Sequence, residues 1–367
     1  MNACHPDSID YVNCMLVEVT VMPLDLGTLC AVAISKHASD VHLTVESQPA
    51  FRIHGELVRE EGEVLSKTDI EDAFLAICPK DKLEKFKKIG HVDFPYSLPG
   101  IGRFRVNAFR QRGSIALTIR VLAFEVPRFD ALNLPEAVVD LAKRRYGLVV
   151  ISGPTGSGKS STMAALIDLL NQTRSYHIIT LEDPIEYLHK HRKSVVNQRE
   201  VGTDTLSFAD GVHAALREDP DVIVIGEMRD FETARTALSA AETGHLVLAT
   251  MHAARAPQAV SRIVDLFPMD HQTQACTLLS EVIEGVVTQH LLRRQDRSGR
   301  VAAFELLLGT PAVREIIRQN RPQDLYAVLN DESKGMMSLE ASLERLYKEG
   351  VISLQDMRSR VIAPDVR

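Results

Sequence analysis

The sequence predicts an α/β protein of two domains, on three patterns. Short apolar strands at 148–151, 178–181, 222–225 and 246–249 alternate with helical patterns, which predicts a parallel sheet wrapped by helices. A glycine-rich loop, GPTGSGKSS at 153–161, joins the first of these strands to a helix. Upstream of residue 122 the pattern is different: strands alternate with turn residues and finish in a hairpin.

The elements follow in order. Residues 1–25 contain MNACHPDSIDYVNCMLVEVT, which has acids where a signal peptide has a basic region. They read as an extension, or as residues ahead of a true start at Met15 or Met22. Residues 26–36 (LGTLCAVAISK) read as a short amphipathic helix, and DVHLTV and AFRIHGELV as strands. Residues 69–88 read as one charged helical stretch. The hairpin spans 101–122: Phe104, Val106 and Ala108 share one parity, as do Ile115, Leu117 and Ile119 on the second strand. Arg103, Arg105, Thr118 and Arg120 fall on the polar faces. Residues 123–135, with Pro127 and Pro135, read as a linker. The domain with the parallel sheet runs from 136 to 367, and beyond residue 270 it reads as mostly helical.

A chain of 367 residues holds two domains with real cores. Apolar content of 45% and charged content of 25% are those of an ordinary globular protein. The net charge of −7 argues against a nucleic-acid protein, and no run of 18 apolar residues predicts a membrane span. The five cysteines at 4, 14, 30, 78 and 276 form no C-x-x-C pair. That speaks against a zinc site and a disulfide framework and suits a reducing cytoplasm.

The chemistry is concentrated at the strand ends. Gly153, Gly158, Lys159 and Ser160 fit G-x-x-x-x-G-K-[ST] between an apolar strand and a helix carrying Met163, Leu166, Ile167 and Leu170. The loop of Gly153, Pro154, Thr155, Gly156, Ser157, Gly158, Lys159, Ser160 and Ser161 would wrap a di- or triphosphate with its backbone N–H groups, Pro154 alone having none to give. Lys159 would neutralise charge there and Ser160 would ligate Mg²⁺. The strand HIITLEDPIEY ends in Glu182, and VIVIGEMRD ends in Glu227. Ligands of parallel sheets sit at the carboxyl ends of strands, so both acids should face the phosphates. One would polarise the attacking water and the other would hold Mg²⁺ through its water shell. The plainer reading is that each acid caps a helix. GHLVLATMHA is bracketed by His245 and His252, with His252 the better placed to reach the γ-phosphate. Arg105 and Arg120 read either as a solvated hairpin face or as arginine fingers delivered to a neighbouring subunit.

Taken together, these boxes resemble the secretion ATPase superfamily, and within it the type IV pilus retraction ATPases, the PilT family. ASDVHL, GRFRVNAFRQRG, GPTGSGKSS, TLEDPIEYLH, LREDPDVIVIGEMRD and TARTALSAAETGHLVLATMH stand in the family's order, from about residue 26 onward. The resemblance implies a PAS-like N-terminal domain at 26–122 and a RecA-like P-loop domain at 136–367. It implies a homohexameric ring with ATP and Mg²⁺ at the subunit seam. It also implies roles: Glu182 activates water, Glu227 is the Walker B glutamate, His252 and His245 form the His box, and Arg105 and Arg120 reach the γ-phosphate. The implied partners are an inner-membrane pilus platform protein and a paralogous retraction ATPase, with the ring cytoplasmic and peripheral to the membrane.

Assembly and type II secretion ATPases of the superfamily are longer and carry a four-cysteine zinc motif, whereas this chain has one cysteine in that region, Cys276. GTPAVREIIRQ at 309–319 is similar to the C-terminal helix of the retraction branch, departing at Glu315, Ile316 and Gln319. Three alternatives compete with a retraction motor: an accessory PilU-type motor, a RecA-like helicase and a non-catalytic regulatory subunit. Against the helicase stand the acidic balance and the lack of a basic or aromatic track. Against the regulatory subunit stand intact Lys159, Glu182 and Glu227.

Overall fold

The computed structural model describes residues 24–53, 55–121, 126–296, 299–331 and 335–361. Most of the expected N-terminal extension and residues 123–125 of the expected linker lie outside them. The chain divides into two compact units, Met1–Leu122 and Ala123–Arg367.

The first unit begins with helix α1 (Leu26–Ser35), capped by Asp25, whose carboxylate accepts from the Gly27 N–H at 2.9 Å. Strands β1 (Ala38–Leu43), β2 (Ala50–Ile53) and β3 (Glu56–Arg59) follow. Next come α2 (Lys67–Ile77), α3 (Lys80–Ile89), β4 (His91–Leu98), β5 (Gly102–Gln111) and β6 (Ser114–Val121). The expected helical stretch over 69–88 is made of two helices. Pro79 pushes Cys78 out of the helical region, to ψ 123°, and the first helix ends there. The six strands form an antiparallel sheet in the order β3-β2-β1-β6-β5-β4. Ile70, Phe74 and Phe86 from the helices share a core with Val41, Phe94, Phe104, Val106 and Ile119 of the sheet.

The second unit enters through a 3₁₀ turn (Phe129–Leu132) and α4 (Glu136–Ala142). It continues with β7 (Gly147–Ser152), α5 (Lys159–Thr173), β8 (His177–Glu182), β9 (Val195–Glu200) and α6 (Phe208–Ala215). After them come β10 (Val222–Ile225), α7 (Phe231–Glu242), β11 (Leu246–Met251), α8 (Ala256–Asp265) and α9 (Gln272–Val282). The chain then forms β12 (Ile283–Arg293), β13 (Arg300–Leu308), α10 (Pro311–Arg318), α11 (Leu325–Val328), α12 (Leu339–Lys348) and α13 (Leu354–Val361). The sheet order is β13-β12-β7-β11-β10-β8-β9.

Two expectations are corrected here. The region beyond 270 is not mostly helical, because β12 pairs in parallel with β7, the strand before the phosphate loop. The sheet is also not wholly parallel, because β13 returns antiparallel to β12. The central strands are buried on both faces. Leu148, Val150, Ile223, Ile225 and Val247 pack toward one layer of helices, and Val149, Ile151, Val222, Val224 and Leu248 toward the other. Such strands read as continuous apolar runs because neither face meets water. Among the described residues no helix is long and apolar enough to cross a membrane.

Candidate functional site

Parallel pairing brings the carboxyl ends of β7, β11, β10 and β8 to one edge of the sheet. The glycine-rich loop leaves β7 at this edge. Glu182 closes β8, Glu227 follows β10 by two residues and His252 follows β11 directly. Lys159, Ser160, Glu182, Glu227 and His252 therefore line one pocket of about 270 Å³, together with Thr155, Gly156 and Arg229.

Gly158 is the N-cap of α5 at φ 91°, and no side chain caps this helix. By contrast, Ser207 and Asp230 cap α6 and α7 with their side chains. The first N–H groups of α5 are thus left to bind an anion, favoured by the positive end of the helix. Any larger residue at 158 would also meet Gln289 Nε2, 2.7 Å from the added Cβ. Lys159 is buried at the loop. Its Nζ donates to the carbonyls of Gly153 (2.9 Å) and Pro154 (3.1 Å) and lies 3.3 Å from His252 Nδ1. Burial pulls its pKa down, with Glu227 and Glu186 opposing that pull.

The two acids sit in different environments. Burial raises the Glu182 carboxyl above its ordinary range, although Thr180 Oγ1 (2.6 Å) and Gln198 Nε2 (3.0 Å) both donate to its Oε1. Burial pushes Glu227 up as well, but the Arg229 hydrogen bond (2.5 Å) and the charges of His252, Arg229 and Lys159 outweigh it and leave the pKa lowered. His252 Nε2 lies 3.3 Å from Glu227 Oε1, so His252 spans Lys159 and Glu227. Gly226 is required by close approach: a Cβ there would stand 2.9 Å from the Leu181 carbonyl and 3.2 Å from Glu182 Cα.

His245 is a correction. It precedes β11, and its carbonyl accepts from Gly147 N at the start of β7, at the opposite end of the strands from the loop. Its Nδ1 is engaged with Ala240 O (3.0 Å) and Thr243 Oγ1 (3.2 Å). A six-residue strand puts about 20 Å between the two ends, so His245 does not share the pocket with His252.

Arg105 and Arg120 lie in the first unit and face each other directly across β5 and β6. Like charges so opposed repel, and each has an acid beside it. Arg120 Nε is 2.9 Å from Asp40 Oδ1, and Arg105 Nε is 3.6 Å from Asp93 Oδ1. Both guanidinium groups remain exposed enough to meet another molecule.

Several site residues carry no sequence signal of their own. Gln289, buried on β12, accepts from Thr162 Oγ1 (2.7 Å) and backs the phosphate loop. Tyr187 OH pairs with Ser161 Oγ at 2.8 Å. Ser157, already named in the phosphate loop, is buried, and its Oγ has no hydrogen-bond partner among the described residues. For a metal, the pocket offers hard oxygen donors, the Ser160 hydroxyl and the Glu227 carboxylate. Among the described residues no group of three or more His, Cys, Asp or Glu could hold an ion. This donor set fits Mg²⁺ carried on phosphates, since that ion keeps much of its water and takes few protein ligands.

A family model described as "Type II/IV secretion system protein" matches residues 21–358. The "Type IV pilus retractation ATPase PilT" of Pseudomonas aeruginosa is 39% identical over 343 residues, covering 93% of this chain and 99% of that protein. The "Type IV pilus ATPase PilU" of the same organism is 37% identical over 91% of this chain and 87% of its own length. A crystal structure of the pilus retraction motor PilT with bound ADP superposes with a TM-score of 0.86 at 46% identity, covering 93% of this chain and 98% of that one.

Proposed function

We propose, from the premise that this chain belongs to the type II/IV secretion system protein family, that it is an ATPase motor powering type IV pilus retraction. The carrying observation is the convergence of Lys159, Ser160, Glu182, Glu227 and His252 on one pocket at the carboxyl edge of the sheet. Residues 153–161 bind the phosphates. Lys159 exchanges the Gly153 and Pro154 carbonyls for phosphate oxygens. Ser160 and Glu227 would hold Mg²⁺, which when bound would neutralise charge on the phosphates. Glu182, its carboxyl raised by burial, takes a proton from the attacking water as its affinity for protons demands. His252 stands between Lys159 and Glu227 and meets the γ-phosphate. Arg105 and Arg120 complete the site of a neighbouring subunit in a homohexamer.

In this reading residues 26–122 form a PAS-like domain, 123–135 a linker and 136–367 the RecA-like motor. The ring is cytoplasmic and works against a membrane platform protein at the inner membrane. Helix α10 supports the retraction branch despite its departures. Thr310 caps it, Val313 and Ile317 are buried, and Arg314 ties it to Glu284 (2.7 Å) and to the carbonyls of Ser280 and Glu281.

The test has two parts. ATP turnover by the purified chain should vanish in Lys159→Ala. It should fall at least a hundredfold in Glu227→Gln with nucleotide binding retained; turnover unchanged by either substitution refutes the site. In a strain lacking the chain, surface pili should increase and twitching should stop. Normal pili and motility would instead assign an accessory, PilU-type role, and a bald cell would assign assembly.

A further inference from the structure

Glu182 is held in an unusual way. Both of its side-chain donors, Thr180 Oγ1 and Gln198 Nε2, converge on the single oxygen Oε1. Thr180 lies two residues earlier on the same strand and is fully buried, so its hydroxyl stays on the Glu182 side of β8. Gln198 stands on β9, directly across from Thr180 in the parallel register. Its amide is fixed at every working atom. Oε1 accepts from the His189 N–H (2.8 Å), and Nε2 donates both to Glu182 and to the Tyr187 carbonyl (2.8 Å). A flipped amide would set oxygen against a carboxylate and a carbonyl, and NH₂ against an N–H, so only one orientation satisfies the three partners.

We infer that Thr180 and Gln198 are positioning residues for ATP hydrolysis: by occupying Oε1 they lock the Glu182 carboxylate and leave Oε2 as the oxygen that takes the proton from water. The inference rests on the ATPase reading above. Two donors from different strands hold Oε1 in place more firmly than one does. They also stabilise the ionised form against burial, which works in the opposite direction. Gln198 carries no charge, so it holds the base without adding a cation that would draw phosphate to the wrong place. The titratable groups around this base are Lys159 on α5, Asp183, Glu186, Tyr187 and His189 after β8, Glu227 and Arg229 after β10, and His252 after β11. The Glu186 backbone N–H also donates to the Glu182 carboxylate and favours its ionised form, but the side-chain donors on Oε1 are Thr180 and Gln198.

The experiment is a steady-state ATPase pH profile of the full chain as wild type, Gln198→Met, Thr180→Val and Thr180→Ser, and of the first two substitutions in a Glu182→Gln background. Each lost donor should lower kcat roughly ten- to a hundredfold, with KM for ATP little changed. The acid limb of the kcat profile should move to higher pH in both Gln198→Met and Thr180→Val. Thr180→Ser, which keeps the hydroxyl, should restore the wild-type limb. In the Glu182→Gln background neither substitution should lower the residual rate further. A wild type without turnover overturns the ATPase reading and this role together. A turning-over wild type overturns the role alone if the limb stays fixed in both variants, or if they are equally damaging without Glu182.

Discussion

Arg255→Met tests how this fold tolerates a charge inside its second unit. Glu305 on β13 is completely buried. Its Oε2 accepts from Arg255 Nε at 2.8 Å and its Oε1 from the Ala256 N–H at 2.5 Å. Arg255 also forks onto Glu340 of α12 at 2.9 and 3.0 Å and lies 5.6 Å over the Tyr326 ring. Methionine keeps much of the apolar stem but removes the charge, leaving Glu305 one backbone donor. Stranding a buried charge in this way costs about 3–5 kcal/mol. For a unit of this size that is a fall in Tm of about 6–20 °C.

The loss should depend on pH, and its sign follows from Glu305. Burial already raises this carboxyl above its ordinary range, with the Arg255 charge pulling it back. Without Arg255 the folded pKa rises further, while the unfolded value is unchanged. A raised acid is no burden below its unfolded pKa, where it is protonated in both states, and is a full burden above its folded pKa. The gap between variant and wild type should therefore be small in mild acid and open as the pH rises through the folded Glu305 values. Thermal melts of both proteins across that range measure it. Glu305→Gln added to Arg255→Met should recover most of the loss at high pH. An equal gap at all pH values, or no recovery in the double variant, refutes the argument.

Two further outcomes follow from the site. Gly226→Ala places a methyl 2.9 Å from the Leu181 carbonyl and should cost about 1–3 kcal/mol, with Glu227 displaced and turnover reduced, as melts and ATPase assays would register. Arg120→Ala takes a 2.9 Å partner from the buried Asp40 carboxylate and should cost about 1–3 kcal/mol of stability, and it should lower turnover by roughly 10³ or more if the arginine acts in trans. Mixing Arg120→Ala with Lys159→Ala chains should then regain activity, and mixed rings as inactive as either parent would rule out the trans role.

The phosphate loop was legible because its chemistry is carried by contiguous residues between an apolar strand and a helix. Glu182, Glu227 and His252 were legible because parallel strands carry their last residues to one edge. Strand direction also excluded His245, which precedes β11, but bracketing by two histidines obscured that. The strand β12 was not legible for a physical reason. Helix α9 ends at Val282 and β12 begins at Ile283, with no Gly, Pro, Asn or Asp between them to punctuate the change. Ten of its eleven residues are shielded to some degree, so no alternation marks the strand. Gly285 inside it marks close approach instead, since a Cβ there would meet Leu141 Cδ1 at 2.7 Å. On β9 the burial alternates weakly and the side chains are polar, as befits the edge of the sheet.

Two of the three strands of this sheet that escaped the sequence, β9 and β12, supply the same kind of group to the site. Gln198 on β9 fixes the oxygen of Glu182, and Gln289 on β12 backs the loop through Thr162. An amide presents donors and acceptors together and carries no charge, so it can bridge buried polar groups without altering the field that phosphate experiences. A lysine or arginine in either place would compete with Lys159 for anionic oxygens, and an acid would repel them. Neutral supports therefore suit a dry phosphate site, and they are the residues that searches for charge pairs or metal spacing pass over. Their placement requires the complete seven-stranded sheet. Strands β9 and β12 thus help to build this pocket, through Gln198 on Glu182 and Gln289 on Thr162.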